Sequence, residues 1–180
     1  MELVNEIRAG NGAAFRTFYY RHVDNIYGMV TRIMGPSRRD REEAVQKIFF
    51  KARESMDSFL EPSAILTNLF RIASDITYSM LLSPSSAESM DVEEPSSLFS
   101  LEGPLDAKRA VQRMYDVLDQ LSVRNRMVFV LYEFQGLTLN QISEVLSISV
   151  NAAASRLRRS REQITPLMQA ASPPIQREEK

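Results

Sequence analysis

The 180-residue chain has no cysteine. That excludes a disulfide framework, a thiolate metal site and a thiol nucleophile together. Histidine is nearly as scarce: His22 stands alone, too little for a histidine-built metal centre. No segment approaches the ~20 consecutive apolar residues of a membrane span. The opening Met1–Glu6 lacks the basic-then-apolar pattern of a secretory signal. The expectation is a soluble, cytoplasmic protein without membrane insertion. Apolar and polar residues nowhere alternate with the period of two that marks a half-buried strand. Acidic pairs such as Glu42-Glu43 sit on a polar helix face without a partnered base, pocket or metal set. No enzyme, cofactor, metal or small-molecule substrate is therefore expected.

Apolar residues make up 44% of the chain, enough for packed cores. The net charge of −1 argues against a nucleic-acid partner until its distribution is read. Residues 1–82 carry 11 basic and 10 acidic side chains. Residues 83–106 carry six acids and no base. Residues 107–168 carry nine bases against five acids, a local charge of +4. An acidic middle masks a basic C-terminal third.

The segment 83–106 is rich in Ser, Pro and acid and has no apolar period, so it reads as a flexible linker. The expected organisation is all-α, with helical domains at 1–82 and 107–168, the acidic linker between them, and a frayed tail over 169–180. In the first domain Gly10-Asn11-Gly12 should break a short opening helix. A second helix is expected from about Ala13 to Met34, stopped by Gly35-Pro36. Val45, Ile48, Phe49, Ala52 and Met56 form one buried stripe. After a loop over 59–63, Ile65, Leu69, Ile72, Ile76 and Met80 form another.

In the second domain Val111, Met114, Leu118 and Leu121 line one helix, and Met127, Val128 and Leu131 a second running from Arg124 to Phe134. Thr138-Leu-Asn-Gln141 has the spacing of a capping box. It opens a short helix with Ile142, Val145 and Leu146 inward. A three-residue turn then leads to a last helix with Ala153, Leu157 and Ile164 inward, expected to give way to the tail after Pro166. Residues 138–163 thus have the composition and length of a helix-turn-helix. On its outward side stand Asn151, Ala152, Ser155, Arg156 and Arg159, with Arg158 nearby. Arginine suits DNA because its forked guanidinium meets phosphates and guanine edges through two parallel hydrogen bonds. An ordinary helical hairpin with a solvated Arg face is the alternative on composition alone.

Three runs resolve that choice by resemblance: LDQLSVRNRMVFVL (118–131), GLTLNQISEVL (136–146) and SVNAAASRLRR (149–159). Together they resemble the C-terminal domain of extracytoplasmic-function sigma factors. The stretch DREEAVQKIFFKA (40–52) resembles the family's clamp-binding helix, and TNLFRIA (67–73) its minus-ten segment. The resemblance implies a non-enzymatic transcription initiation factor whose partners are core RNA polymerase and promoter DNA. It also admits an anti-sigma partner, which nothing in the sequence specifies. It assigns polymerase contact to Glu42, Glu43, Gln46, Lys47 and Phe50. DNA contact falls to Asn151, Ala152, Ser155, Arg156, Arg158 and Arg159 at the minus-thirty-five element, and to Asn68, Arg71 and Asp75, with the loop 60–64, at the minus-ten element. The acidic linker would thread the polymerase's positively lined channels.

Departures from the pattern bear on mechanism. The family's Trp is Asn68, its Asn is Asp75, and its basic run after that helix is Ser79-Met-Leu-Leu-Ser-Pro-Ser. Ala152, Ala153 and Ala154 replace more polar residues in the reading helix. An active factor with weak intrinsic DNA affinity and a polymerase-binding protein that no longer melts promoters both fit these departures. A free-standing helix-turn-helix repressor is a further alternative, although no dimer seam is visible.

Overall fold

The computed structural model describes residues 2–59, 65–83 and 105–171. Every regular element among them is helical. The expected linker, apart from its ends, and the 60–64 loop lie outside the described residues.

Helix α1 (Glu2–Arg8) is short and ends where Gly10 takes a left-handed φ of 85°. Asn11 then starts α2 (Gly12–Met34): its side-chain oxygen accepts from the amides of Ala13 at 3.0 Å and Ala14 at 3.2 Å. This satisfies two of the amides that no preceding turn can reach. Helix α2 stops at Gly35, whose φ of 95° would strain any side-chain-bearing residue. The first half of α2 packs Phe18 with its ring centroid 6.4 Å from both Phe49 and Phe59.

Helix α3 (Arg41–Glu54) leads into a single 3-10 turn, Met56–Ser58. The stripe Val45, Ile48, Phe49, Ala52 and Met56 is buried, as its spacing requires. Arg8 holds the turn from α1, donating from Nε and Nη2 to the Met56 carbonyl at 3.1 and 3.0 Å.

Helix α4 (Ile65–Leu82) buries more of its circumference than one stripe. Leu69 and Ile72 are buried as expected, while Ile65, Ile76 and Met80 are only half-buried. Phe70, Ala73, Ser74 and Thr77 are buried as well. The reason is tertiary: α4 packs against α2 and α3 on one side and against α7 on the other.

The second group comprises α5 (Leu105–Asp119), α6 (Val123–Glu133), α7 (Leu139–Leu146) and α8 (Val150–Ala171). Leu118, Leu121, Met127, Val128, Val130, Leu131, Ile142, Val145, Ala153, Leu157 and Ile164 form its core. Burial of each large side chain contributes roughly 1.5–3 kcal/mol. Helix α8 continues five residues beyond Pro166 instead of giving way to a tail there. Pro166 lies on an exposed face, where water can solvate the carbonyl one turn back that loses its amide partner.

The two groups are in contact. Helix α2 packs against α6, and α4 against α7. Sequence periodicity described each group's own core but not this seam.

Candidate nucleic-acid and polymerase interface

The helix-turn-helix is defined by its caps. At the start of α7, the Thr138 amide donates to Gln141 Oε1 at 2.9 Å, and the Gln141 amide donates to Thr138 Oγ1 at 3.3 Å. This is the reciprocal capping box that the Thr/Gln spacing predicts. At the other end Ser147 adopts a left-handed φ of 50°. The Ser147 amide donates to the Glu144 carbonyl at 3.4 Å and the Ile148 amide to the Ser143 carbonyl at 3.0 Å. These two bonds form a Schellman closure, which usually has glycine at the left-handed position. Ser149 then opens α8, its hydroxyl accepting from the Ala152 amide at 3.1 Å.

Helix α8 divides as its pattern requires. Ala153, Leu157 and Ile164 are buried, and Asn151, Arg158 and Arg159 are exposed. Ala152, Ser155 and Arg156 are half-buried. Ser160 is fully buried against α6, its hydroxyl shared between the Arg156 carbonyl one turn back at 2.9 Å and the Asn125 carbonyl of α6 at 3.2 Å.

The four arginines of α8 have different surroundings. Arg161 is braced on α6, with Nη2 2.6 Å from Glu133 Oε1 and its guanidinium 5.1 Å from the Tyr132 ring centroid. Its hydrogen bond to Glu133 raises its pKa further above the ordinary arginine value. Arg158 pairs with Glu162 one turn on at 2.8 Å. Arg156 and Arg159 have no ion-pair partner among the described residues. These two cations are the ones available to an external anion.

On α3, Glu42, Glu43, Gln46, Lys47 and Phe50 are all exposed. Lys47 reaches back to Glu43 at 2.6 Å, an i,i+4 pair worth about 0.3–0.5 kcal/mol. Phe50 is 66% exposed between charged neighbours, an arrangement that leaves a large apolar group for another surface.

On α4, Asn68, Arg71 and Asp75 fall at i, i+3 and i+7 and share a face. Asn68 is half-buried and the other two are exposed by residue area. Burial pushes the Asp75 carboxyl above the usual carboxylate pKa, with Arg71 opposing. The rest of the expected minus-ten surface, residues 60–64, lies outside the described residues.

Sequence reasoning missed the residues at the seam. Arg126 is 8% exposed: its Nη1 donates to the Ile33 carbonyl of α2 at 2.9 Å and pairs with Asp119 at 2.7 Å. Arg124 Nε donates to the Tyr78 hydroxyl at 2.9 Å. Arg32 lies 4.6 Å from the Phe134 ring centroid. One signal was available, an arginine at 126 inside the apolar stripe of α6. His22 packs 4.8 Å from the Phe18 ring centroid, and burial lowers its pKa. Among the described residues no cluster of three acidic, His or Cys side chains could hold a metal. No helix there is long and apolar enough to cross a membrane.

Residues 111–164 match the family model described as Sigma-70, region 4, the stretch that contains the helix-turn-helix. The chain is 28% identical over 182 residues to the ECF RNA polymerase sigma-E factor of Haemophilus influenzae, covering 92% of this chain and 95% of that protein. The factor of the same name from Escherichia coli is 29% identical over 174 residues, covering 90% of each. Among solved structures, CnrH in complex with the cytosolic domain of CnrY matches with a TM-score of 0.68 at 24% identity, over 94% of this chain and 97% of that one. The sigma factor RpoE in complex with the anti-sigma factor NepR, from Bartonella quintana, matches with a TM-score of 0.70 at 19% identity, over 88% and 98%. The two structural likenesses concern the fold.

Proposed function

Because the chain belongs to the extracytoplasmic-function type of RNA polymerase sigma factors, we propose that it binds core RNA polymerase through the outward face of α3 and directs it to promoters by contacts at two DNA elements. Phe50 supplies the apolar anchor of the polymerase contact, ringed by Glu42, Glu43, Gln46 and Lys47. Residues Asn151, Ala152, Ser155, Arg156, Arg158 and Arg159 of α8 meet the minus-thirty-five element in the major groove. Asn68, Arg71 and Asp75 of α4, with the 60–64 loop, meet the minus-ten element. Residues 1–82 and 107–168 are then the two working bodies and 83–106 the acidic strap between them, with α8 running past the second body to Ala171. The strap's six acids suit a path through positively lined channels of the enzyme.

The observation that carries this reading is the difference among the α8 arginines. Arg161 and Arg158 are held by Glu133 and Glu162, whereas Arg156 and Arg159 are unpaired among the described residues. The two pairs differ by face: Arg156 and Arg159 stand three residues apart on the side shared with Asn151, Ala152 and Ser155, while Arg158 and Arg161 stand three residues apart on another side, held by Glu162 and Glu133. A helix-turn-helix presents the start of its second helix to base edges. Ala152 can still touch a thymine methyl there, although it forgoes hydrogen-bond readout.

A second reading shares the polymerase contact and omits promoter melting. Asp75 favours it, since a carboxylate on the minus-ten face repels phosphate and no base follows Arg71 on α4. We favour the active factor because the α8 arginines remain. The Bartonella quintana structure holds its sigma factor with an anti-sigma factor. We extend that class of partner to this chain as a regulator, acting in the same compartment as the polymerase.

Run-off transcription with purified core polymerase tests the proposal. The expected result is transcripts that depend on this chain and start at a defined distance from a shared upstream element. Polymerase binding without any such transcript would establish the second reading instead.

A further inference from the structure

A cavity of about 240 Å³ lies where α4, α6, the turn after α7 and α8 come together. It is smaller than the ~300–1,000 Å³ clefts that hold drug-sized ligands, a size that suits a small metabolite. Three charged side chains stand on its wall: Arg124 of α6, Arg156 of α8 and Asp75 of α4. Met127, Leu146 and Ile148 supply an apolar side.

The charges on this wall do not satisfy one another. No ion pair joins either arginine to Asp75, or to any other acid among the described residues. Arg124 is fixed by Tyr78 instead, its Nε donating to the hydroxyl at 2.9 Å with the guanidinium 5.7 Å from the ring centroid. That contact leaves the terminal nitrogens of Arg124, four of the donors on its fork, without a hydrogen bond among the described residues. Arg156 is half-buried. Burial opposes ionisation of Asp75, with Arg71 acting against it, so a further cation beside this carboxyl would be favoured.

A lone anion in the cavity would meet the Asp75 carboxylate, and a lone cation would meet two guanidiniums. A small ligand that carries both signs side by side satisfies all three groups through charge-assisted hydrogen bonds. We propose that this cavity binds a free α-amino acid with an apolar side chain. Its carboxylate lies between Arg124 and Arg156, its ammonium faces Asp75, and its side chain covers Met127, Leu146 and Ile148. Bound there, it bridges α4, α6 and α8 and stabilises the folded chain by mass action. The proposal goes beyond the sigma-factor reading and needs only the cavity and its charges.

Titration calorimetry on the full chain tests it with L-leucine and with two molecules that each lack one of its charges, isocaproate and isoamylamine. L-Leucine should bind at one site, and each truncated molecule should bind about tenfold more weakly or worse, having lost a charge-assisted contact. L-Leucine at about 100 times its dissociation constant should raise the thermal unfolding midpoint by about 5–10 °C.

Two variants locate the site. Arg124→Gln removes one cation, and Ile148→Trp fills the cavity without touching a charge. Each should weaken L-leucine binding by about tenfold or more, with circular dichroism showing that the helices remain. If a variant does not fold, the ligand series on the parent chain still decides. Absence of L-leucine binding would overturn the proposal, and so would isocaproate or inorganic phosphate binding as tightly as L-leucine, the mark of a plain anion site. Undiminished binding by folded Ile148→Trp would place the ligand elsewhere and overturn it as well.

Discussion

Helices α4 and α8 are both assigned to promoter DNA, yet they are equipped very differently. The start of α8 is held by Ser149 and follows a turn closed by Ser147, and the helix carries two arginines, Arg156 and Arg159, without an ion-pair partner among the described residues. Helix α4 has one base, Arg71, and one turn further on the same face an acid, Asp75, whose ionisation burial opposes. DNA affinity rises with the number of phosphates neutralised, so most of the attraction must come from the C-terminal group. Under the proposed function, α8 recruits, while α4 works only once polymerase has brought the DNA to it.

The largest expected effect comes from removing an unpartnered arginine. Arg159→Ala or Arg156→Ala should weaken promoter binding by the holoenzyme by about 10- to 100-fold, from the loss of roughly 1–3 kcal/mol. Arg158→Ala, whose guanidinium already pairs with Glu162, should cost several-fold less. Equal losses at all three positions, measured by filter binding at one salt concentration, would remove the distinction among the arginines.

Asp75→Asn should act in the opposite direction. It removes a like charge facing phosphate, and promoter opening should increase by about 3- to 10-fold through the loss of a repulsion near 1 kcal/mol. The variant should also be slightly more stable at neutral pH. A carboxyl whose folded pKa is raised contributes stability below its unfolded value, and that contribution is lost as pH rises through the folded value. Unchanged opening in a permanganate footprint would mean that Asp75 does not face DNA.

Smaller effects test the scaffold. Thr138→Ala removes one half of the capping box and should destabilise the C-terminal group by about 1 kcal/mol in urea unfolding. Ser147→Gly relieves a left-handed serine and should stabilise by up to about 1 kcal/mol. The smallest effect is at His22. Its pKa is lowered, first by burial and then by Arg21, so folding favours the neutral ring. Stability should be full above its ordinary value near 6.5 and fall as pH drops below it. His22→Leu should flatten that part of the pH–stability curve.

Much of this was legible in the sequence because it is local. The α7 capping box, the Gly35 stop and the inward trio Ala153, Leu157 and Ile164 each follow from spacing within one element. The exposed set on α3 follows from the same periodicity, as the complement of its buried stripe. The seam was not legible, because Ser74, Thr77 and Tyr78 look like an ordinary polar side of α4 until α7 is packed against it. Arg126 gave a trace of it, since a charge in an apolar stripe needs a partner, but nothing local named the Ile33 carbonyl. The run of α8 through Pro166 was missed for the reverse reason. A local breaker was given more weight than the packing of Ile164 just before it.

The most direct measurement is the affinity of the full chain for purified core RNA polymerase, with Phe50→Ala measured beside the parent. The account predicts a stable one-to-one complex, weakened about 30-fold by the loss of an anchoring aromatic side chain worth about 2 kcal/mol. No measurable association of the parent chain would contradict it.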